Sequence, residues 1–188
     1  MESLKLFMIL LGCKPKGRNT EQHDIFFSIG NSLKAIVPDI IHFWPGAGTI
    51  HIDAWREVTE VDGFKINILD KENGNISRTK DQLFFLNLGG YKPGEFEEYH
   101  YKMLVVAKER SEAIKRAKET AFFKHVGFKG AESHIDDKYG IDVDDIYEIQ
   151  DILPKHVKEK YALEITTANG IQKDECQLGY TILSKLTV

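Results

Sequence analysis

The sequence predicts an α+β protein: a tandem duplication of a strand-strand-helix-strand-strand unit with mainly antiparallel sheets, followed by a C-terminal β-hairpin. Three observations predict it. The triplet His51-Ile52-Asp53 recurs as His134-Ile135-Asp136, and at the same offset of 83 Val58 meets Ile141, Asp62 meets Asp145, Phe64 meets Tyr147 and Leu69 meets Ile152. Upstream, a second set of matches runs at offset 77: Leu6-Phe7 with Leu83-Phe84, Leu11-Gly12 with Leu88-Gly89, Glu21 with Glu98 and His23 with His100. Each half also passes from short apolar runs to one helical stripe and back to alternating residues, the pattern of strands flanking a helix. The expected organisation is therefore a first unit over 1–76, a second over 77–154 and a hairpin extension over 155–188, in one compact pseudo-symmetric body.

The elements follow in order. Leu6 to Leu11 is a continuous apolar run stopped by Gly12, which reads as a strand covered on both faces. The loop Cys13 to Thr20 is rich in turn formers, and a second strand runs from about Glu21 to Ile29. Asn31 or Ser32 can cap the helix that follows, whose stripe is Leu33, Ile36, Val37, Ile40, Ile41 and Trp44. Pro38 lies inside that stripe and predicts a kink or a restart, because it lacks a donor and crowds the preceding turn. Ile50, Ile52 and Ala54 alternate with His51, Asp53 and Trp55 as a third strand. Val61-Asp62-Gly63 is a turn, and Phe64 to Ile68 alternates again as a fourth strand. The second helix is expected over Ser111 to Val126, and the final hairpin uses Tyr161 to Thr166 and Gly179 to Leu186, covering a sheet edge. Trp44, Trp55, Phe122 and Phe123 read as packing residues.

The chain has 188 residues, 42% hydrophobic and 29% charged, which is enough for a substantial core and ordinary for a globular protein. No apolar run approaches the roughly 20 residues a membrane helix needs, and the Leu4–Leu11 run is too short for a signal sequence, so a cytoplasmic protein is expected. Cys13 and Cys176 have no metal-type spacing and read as ordinary reduced thiols. A formal charge of −4 gives no reason to expect nucleic acid as a partner. Neither nucleic acid nor membrane is expected, and a homodimer is compatible with the sequence.

The chemistry-bearing residues come in repeated pairs. Glu21-x-His23 and Glu98-x-His100 open the second strands, and His51-x-Asp53 and His134-x-Asp136 mark the third. Residues two apart on a strand share a face, so each unit could gather two imidazoles and two carboxylates. Such a set suits a divalent metal such as zinc or iron held by Glu21, His23, His51 and Asp53. It equally suits acid–base catalysis by His23, His51 and Asp53. Asp62 and Asp145 are candidates for support around the ligands. Against both readings, a histidine donating to a carboxylate at a strand end also fixes loops with no chemistry at all. The loop residues Lys14, Lys16 and Arg18 form a candidate anion site, although the corresponding loop of the second half is acidic and a plain solvated surface is the preferred reading. Asp136-Asp137, Asp142 and Asp144-Asp145 lack the ligand spacing of a calcium loop and read as turns and solvated edges.

With Glu21-Gln22-His23-Asp24, His51-Ile52-Asp53-Ala54-Trp55 and Val61-Asp62-Gly63, the chain resembles a small bacterial family of domains of unknown function that occur in one or two copies. The resemblance covers about Leu6 to Leu69 and Leu83 to Leu153. It implies a bacterial cytoplasmic protein with a tandem duplication, and carries over no activity, cofactor or catalytic residue. The preferred function is a non-catalytic binding or interaction module built from two repeats. The alternative is a metal-dependent or His/Asp acid–base enzyme, hydrolase-like, with its site at the Glu-x-His and His-x-Asp pairs. If one unit alone is active, the first is favoured, since Asp137-Lys138 replaces Ala54-Trp55 in the second.

Overall fold

The computed structural model describes residues 3–72, 80–91, 94–125, 142–168, 170 and 174–186. The fold is α+β with antiparallel sheets, as the hydrophobic patterns predict, and the chain divides into two compact units. One comprises residues 1–78 and 152–188, the other residues 79–151. No helix among the described residues is long and apolar enough to cross a membrane.

In the first unit β1 (Lys5–Cys13) pairs with both β2 (Gln22–Gly30) and β3 (His51–Glu57). Strict alternation on β1 sends Phe7, Ile9, Leu11 and Cys13 into one core, where they meet Phe26, Ile52 and the helix α1 (Leu33–Phe43). Ser32 caps α1 by accepting from the Ala35 amide at 3.3 Å, satisfying one of the amides a helix start leaves open. The helix runs through Pro38 as one element, without the restart expected there. Trp44 and Trp55 pack against this core, as expected. The hairpin β4 (Glu60–Val61) to β5 (Phe64–Asp70) turns on Asp62 and Gly63, whose φ values of 55° and 80° are both positive, as a two-residue type I′ connection requires.

The C-terminal strand pair is divided between sheets. β9 (Tyr161–Thr167) extends β5, giving the order β4-β5-β9, and β10 (Gln177–Ile182) extends β3, giving β10-β3-β1-β2. Each thereby covers an edge that would otherwise present open backbone groups.

The second unit has the order β7-β6-β8, from β6 (Gln82–Tyr91), β7 (Glu98–Ala107) and β8 (Asp142–Glu148), with α2 (Arg110–His125) between β7 and β8 in sequence. Its core joins Phe84, Leu86, Leu88, Met103 and Val105 to Ala113 and Ala117 of α2. The β1–β2 and β6–β7 registers coincide at offset 77: Leu6 faces Ile29 and Leu83 faces Val106, Gly12 faces His23 and Gly89 faces His100. Two expectations for this half are corrected. The residues matching the fourth strand of the first unit form no separate strand: Tyr147 and Glu148 end β8, and the chain then enters the short helix α3 (Ile149–Ile152) and α4 (Lys155–Lys160). The counterpart of β3 is also displaced along the sequence, with consequences for the site.

Candidate functional site

Three strands bring the site together, and a glycine on the middle one makes room for it. On β1, Gly12 is flanked in register by His23 of β2 and by His51 of β3. All three face away from the helix-side core, because their neighbours one residue along, Leu11 and Ile52, face into it. The β1–β3 ladder shifts between Leu10 and Leu11, where Ala54 and Ile52 are the successive partners, leaving Asp53 as the extra, unpaired residue of a β-bulge. A bulge bends its strand and re-aims one side chain. Here it aims the Asp53 carboxylate at the two histidines, so Asp53 joins His51 by a bulge rather than by the plain two-residue alternation expected from the sequence.

Glu21, immediately before β2, completes a ring of alternating imidazoles and carboxylates. His51 Nε2 lies 3.0 Å from Glu21 Oε1 and 3.3 Å from Asp53 Oδ1. His23 Nε2 lies 3.4 Å from Asp53 Oδ2 and 3.5 Å from Glu21 Oε2. Yet His51 Nε2 and Asp53 Oδ2 are buried atoms with no hydrogen-bond partner among the described residues. The four groups thus stand side by side in a ring, each imidazole nitrogen within 3.5 Å of both carboxylates. A Cβ on Gly12 would fall 2.4 Å from His51 Nε2 and 2.6 Å from Asp53 Oδ2, so the glycine holds open the floor of that ring.

The site is closed on one side and open on the other. The His51 side chain is 5% exposed, whereas those of His23 and Glu21 are 43% and 45% exposed. The Tyr180 ring of β10 lies against the His51 imidazole with centroids 4.3 Å apart, which holds it in place. The buried Cys13 thiol is pushed above its ordinary value, by burial first and by the Glu21 carboxylate second; it sits in the core as a thiol.

The second unit repeats the arrangement with different residues. Gly89 on β6 is flanked in register by His100 and by Asp142, and the β6–β8 ladder shifts between Asn87 and Leu88, leaving Asp144 as the unpaired bulge residue. Asp142 and Asp144 thus hold the register positions of His51 and Asp53, at an offset of 91 rather than 83. His134 and Asp136, the expected equivalents, lie outside the described residues, while Glu98 and His100 stand where expected. Glu98, His100 and Asp144 each place one ligand atom within 4.8 Å of the others, and His100 Nε2 is 3.3 Å from Asp144 Oδ2. Asp144, which the sequence presents as a solvated edge, is the site residue that sequence reasoning misses. Its signal lies in Asp142-x-Asp144, which has the spacing of His51-x-Asp53.

The remaining candidates fall elsewhere. Asp62 occupies the β4–β5 turn, and Asp145 accepts from Asn87 Nδ2 at 3.3 Å and from the Tyr147 hydroxyl. Lys14, Lys16 and Arg18 lie along the β1–β2 loop, which folds back through an Arg18 amide to Pro15 carbonyl bond. A separate cleft of about 750 Å³ lies between α1 and α4. Its Asp39 already accepts from Ser28 at 2.9 Å and faces His156 at 3.3 Å.

Residues 18–68, which carry Glu21, His23, His51 and Asp53, match the family described as Domain of Unknown Function (DUF1543). The fold is similar to the crystal structure of a protein Il1583 from Idiomarina loihiensis. The likeness covers 96% of this chain and 97% of that one at 22% identity, with a TM-score of 0.64. No curated protein matches the chain.

Proposed function

We propose that the protein is a metal-binding module whose first unit holds one divalent transition-metal ion through Glu21, His23, His51 and Asp53. The observation that carries this reading is the buried His51 Nε2, which has no hydrogen-bond partner among the described residues although two carboxylates lie within 3.0–3.3 Å. Isolated buried polar atoms are costly. A metal bonded at about 2.0–2.2 Å separates adjacent ligands by about 3.0 Å at right angles and about 3.4 Å at tetrahedral angles, close to the 3.0–3.5 Å between neighbouring groups of the ring. Two imidazoles with two carboxylates suit zinc or ferrous iron better than magnesium or calcium, which prefer oxygen alone.

The open side at His23 and Glu21 leaves coordination room for water, the condition of a catalytic rather than a closed structural site. That exposure favours a second reading, metal-assisted hydrolysis, in which the bound water is the nucleophile. The matched strand registers of the two units, with a glycine and a bulged aspartate in each, support reading the chain as an internal duplication.

The test is a zinc titration of chelator-treated protein against a chromophoric competitor. The expected result is one tight zinc per chain, weakened at least about 100-fold in His23→Ala and in Asp53→Asn. Both variants change side chains that are partly exposed, and far-ultraviolet circular dichroism checks that each is folded. Folded variants that bind zinc as the parent does would overturn the proposal.

A further inference from the structure

The second unit departs from the first in one respect that chemistry can read: its histidine content. In the first unit both residues flanking the central glycine are histidines. In the second, His100 remains on β7 but Asp142 takes the β8 position. The bulged carboxylate is kept, as Asp144, and the carboxylate two residues before the strand histidine is kept, as Glu98. The glycine floor is kept as well, since a Cβ on Gly89 would fall 2.5 Å from Asp144 Oδ2 and 2.8 Å from its Oδ1.

We infer that Glu98, His100 and Asp144 form a second cation site, whose selectivity is shifted, relative to the first unit, away from zinc and toward a harder, oxygen-seeking divalent ion of the manganese class. Geometry and ligand type both support this. Donor atoms of all three residues lie within 4.8 Å of one another. His100 Nε2 and Asp144 Oδ2, 3.3 Å apart, are close enough to share one ion. A set with one imidazole instead of two moves toward those that suit manganese, magnesium and calcium. All three residues are solvent-exposed, so the ion keeps several waters and binds more weakly than in the first unit, where His51 is buried. None of the three belongs to the proposed zinc site, so the two sites stand or fall separately.

Manganese titration followed by the loss of the free-ion electron paramagnetic resonance signal tests it on the full chain. The parent for the experiment is His23→Ala/Glu21→Gln, which disables the first site through exposed side chains only. The expected result is one manganese per chain in that background, weakened tenfold or more when Asp144→Asn or His100→Ala is added. In the same background zinc binds with no more than tenfold preference over manganese, whereas the unmodified chain shows a much larger zinc preference through its first site. Asp144→Asn preserves shape at an exposed position, and circular dichroism verifies the sheet. Absence of manganese binding in the parent, or binding untouched by both substitutions, overturns the inference. Loss of the first-site zinc with manganese retained leaves it standing.

Discussion

At the scale of single residues the organising position is Gly12, which contributes by having no side chain. Histidines on β2 and β3 are two strands apart, and any Cβ between them would occupy the space where their Nε2 atoms point. The atoms a Cβ would meet are the ends of His51 and Asp53 rather than backbone. Gly12→Ala is therefore expected to fold, displacing the two ligands outward at a stability cost of about 1–2 kcal/mol. Zinc affinity is expected to fall at least about 100-fold. Gly90→Ala is the control, because a Cβ there meets nothing within 4 Å. It should change stability by less than about 0.5 kcal/mol and leave zinc affinity alone. Chemical denaturation and the competitor titration measure both. A Gly12→Ala protein with parental zinc affinity would show that the glycine does not shape the site.

At the scale of elements, the first unit's strands and α1 are legible in the sequence because the apolar pattern that marks them is the same one that buries them. Ile52 announces its face by alternation alone, the run Leu6 to Leu11 announces a strand but not which side faces the helix, and the Asp62-Gly63 dipeptide announces its turn. Gly63 adopts φ 80°, a conformation alanine reaches only with strain, whereas Asp62 at φ 55° is of a type that tolerates it. Gly63→Ala should cost about 1–2 kcal/mol in urea denaturation with the slope unchanged; a smaller loss would mean that the turn relaxes to another type. The bulges are not legible. A bulge is a property of two strands in register and leaves no mark on either alone. Asp144 hides in an acidic run, and the matched triplet at 134–136 lies outside the described residues. Glu21 and His23 are legible because their i, i+2 spacing survives unaltered at the start of β2. The division of β9 and β10 between two sheets is equally invisible, since partner choice for edge strands depends on which edges the rest of the fold leaves open.

At the scale of the molecule, each unit has its own helix-covered core, and the residues proposed as first-unit ligands all belong to one of them. An ion that binds the folded unit and not the unfolded chain stabilises it by RT ln(1 + [L]/Kd), about 2.7 kcal/mol at a hundredfold excess over Kd. Hydrogen exchange with and without zinc locates the effect. Amides of β1, β2 and β3 around Leu11, His23 and Ile52 should gain up to about 100-fold in protection, the equivalent of that free energy. Amides of β6 and β7 should gain much less at zinc concentrations that fill only the tighter site. The gain should vanish in Gly12→Ala. Equal protection in both units would show that they open as one cooperative body. Protection in neither would show that zinc does not bind the folded chain, and the ring of Glu21, His23, His51 and Asp53 would then have to be explained as a purely structural cluster with a buried imidazole nitrogen left unpaired.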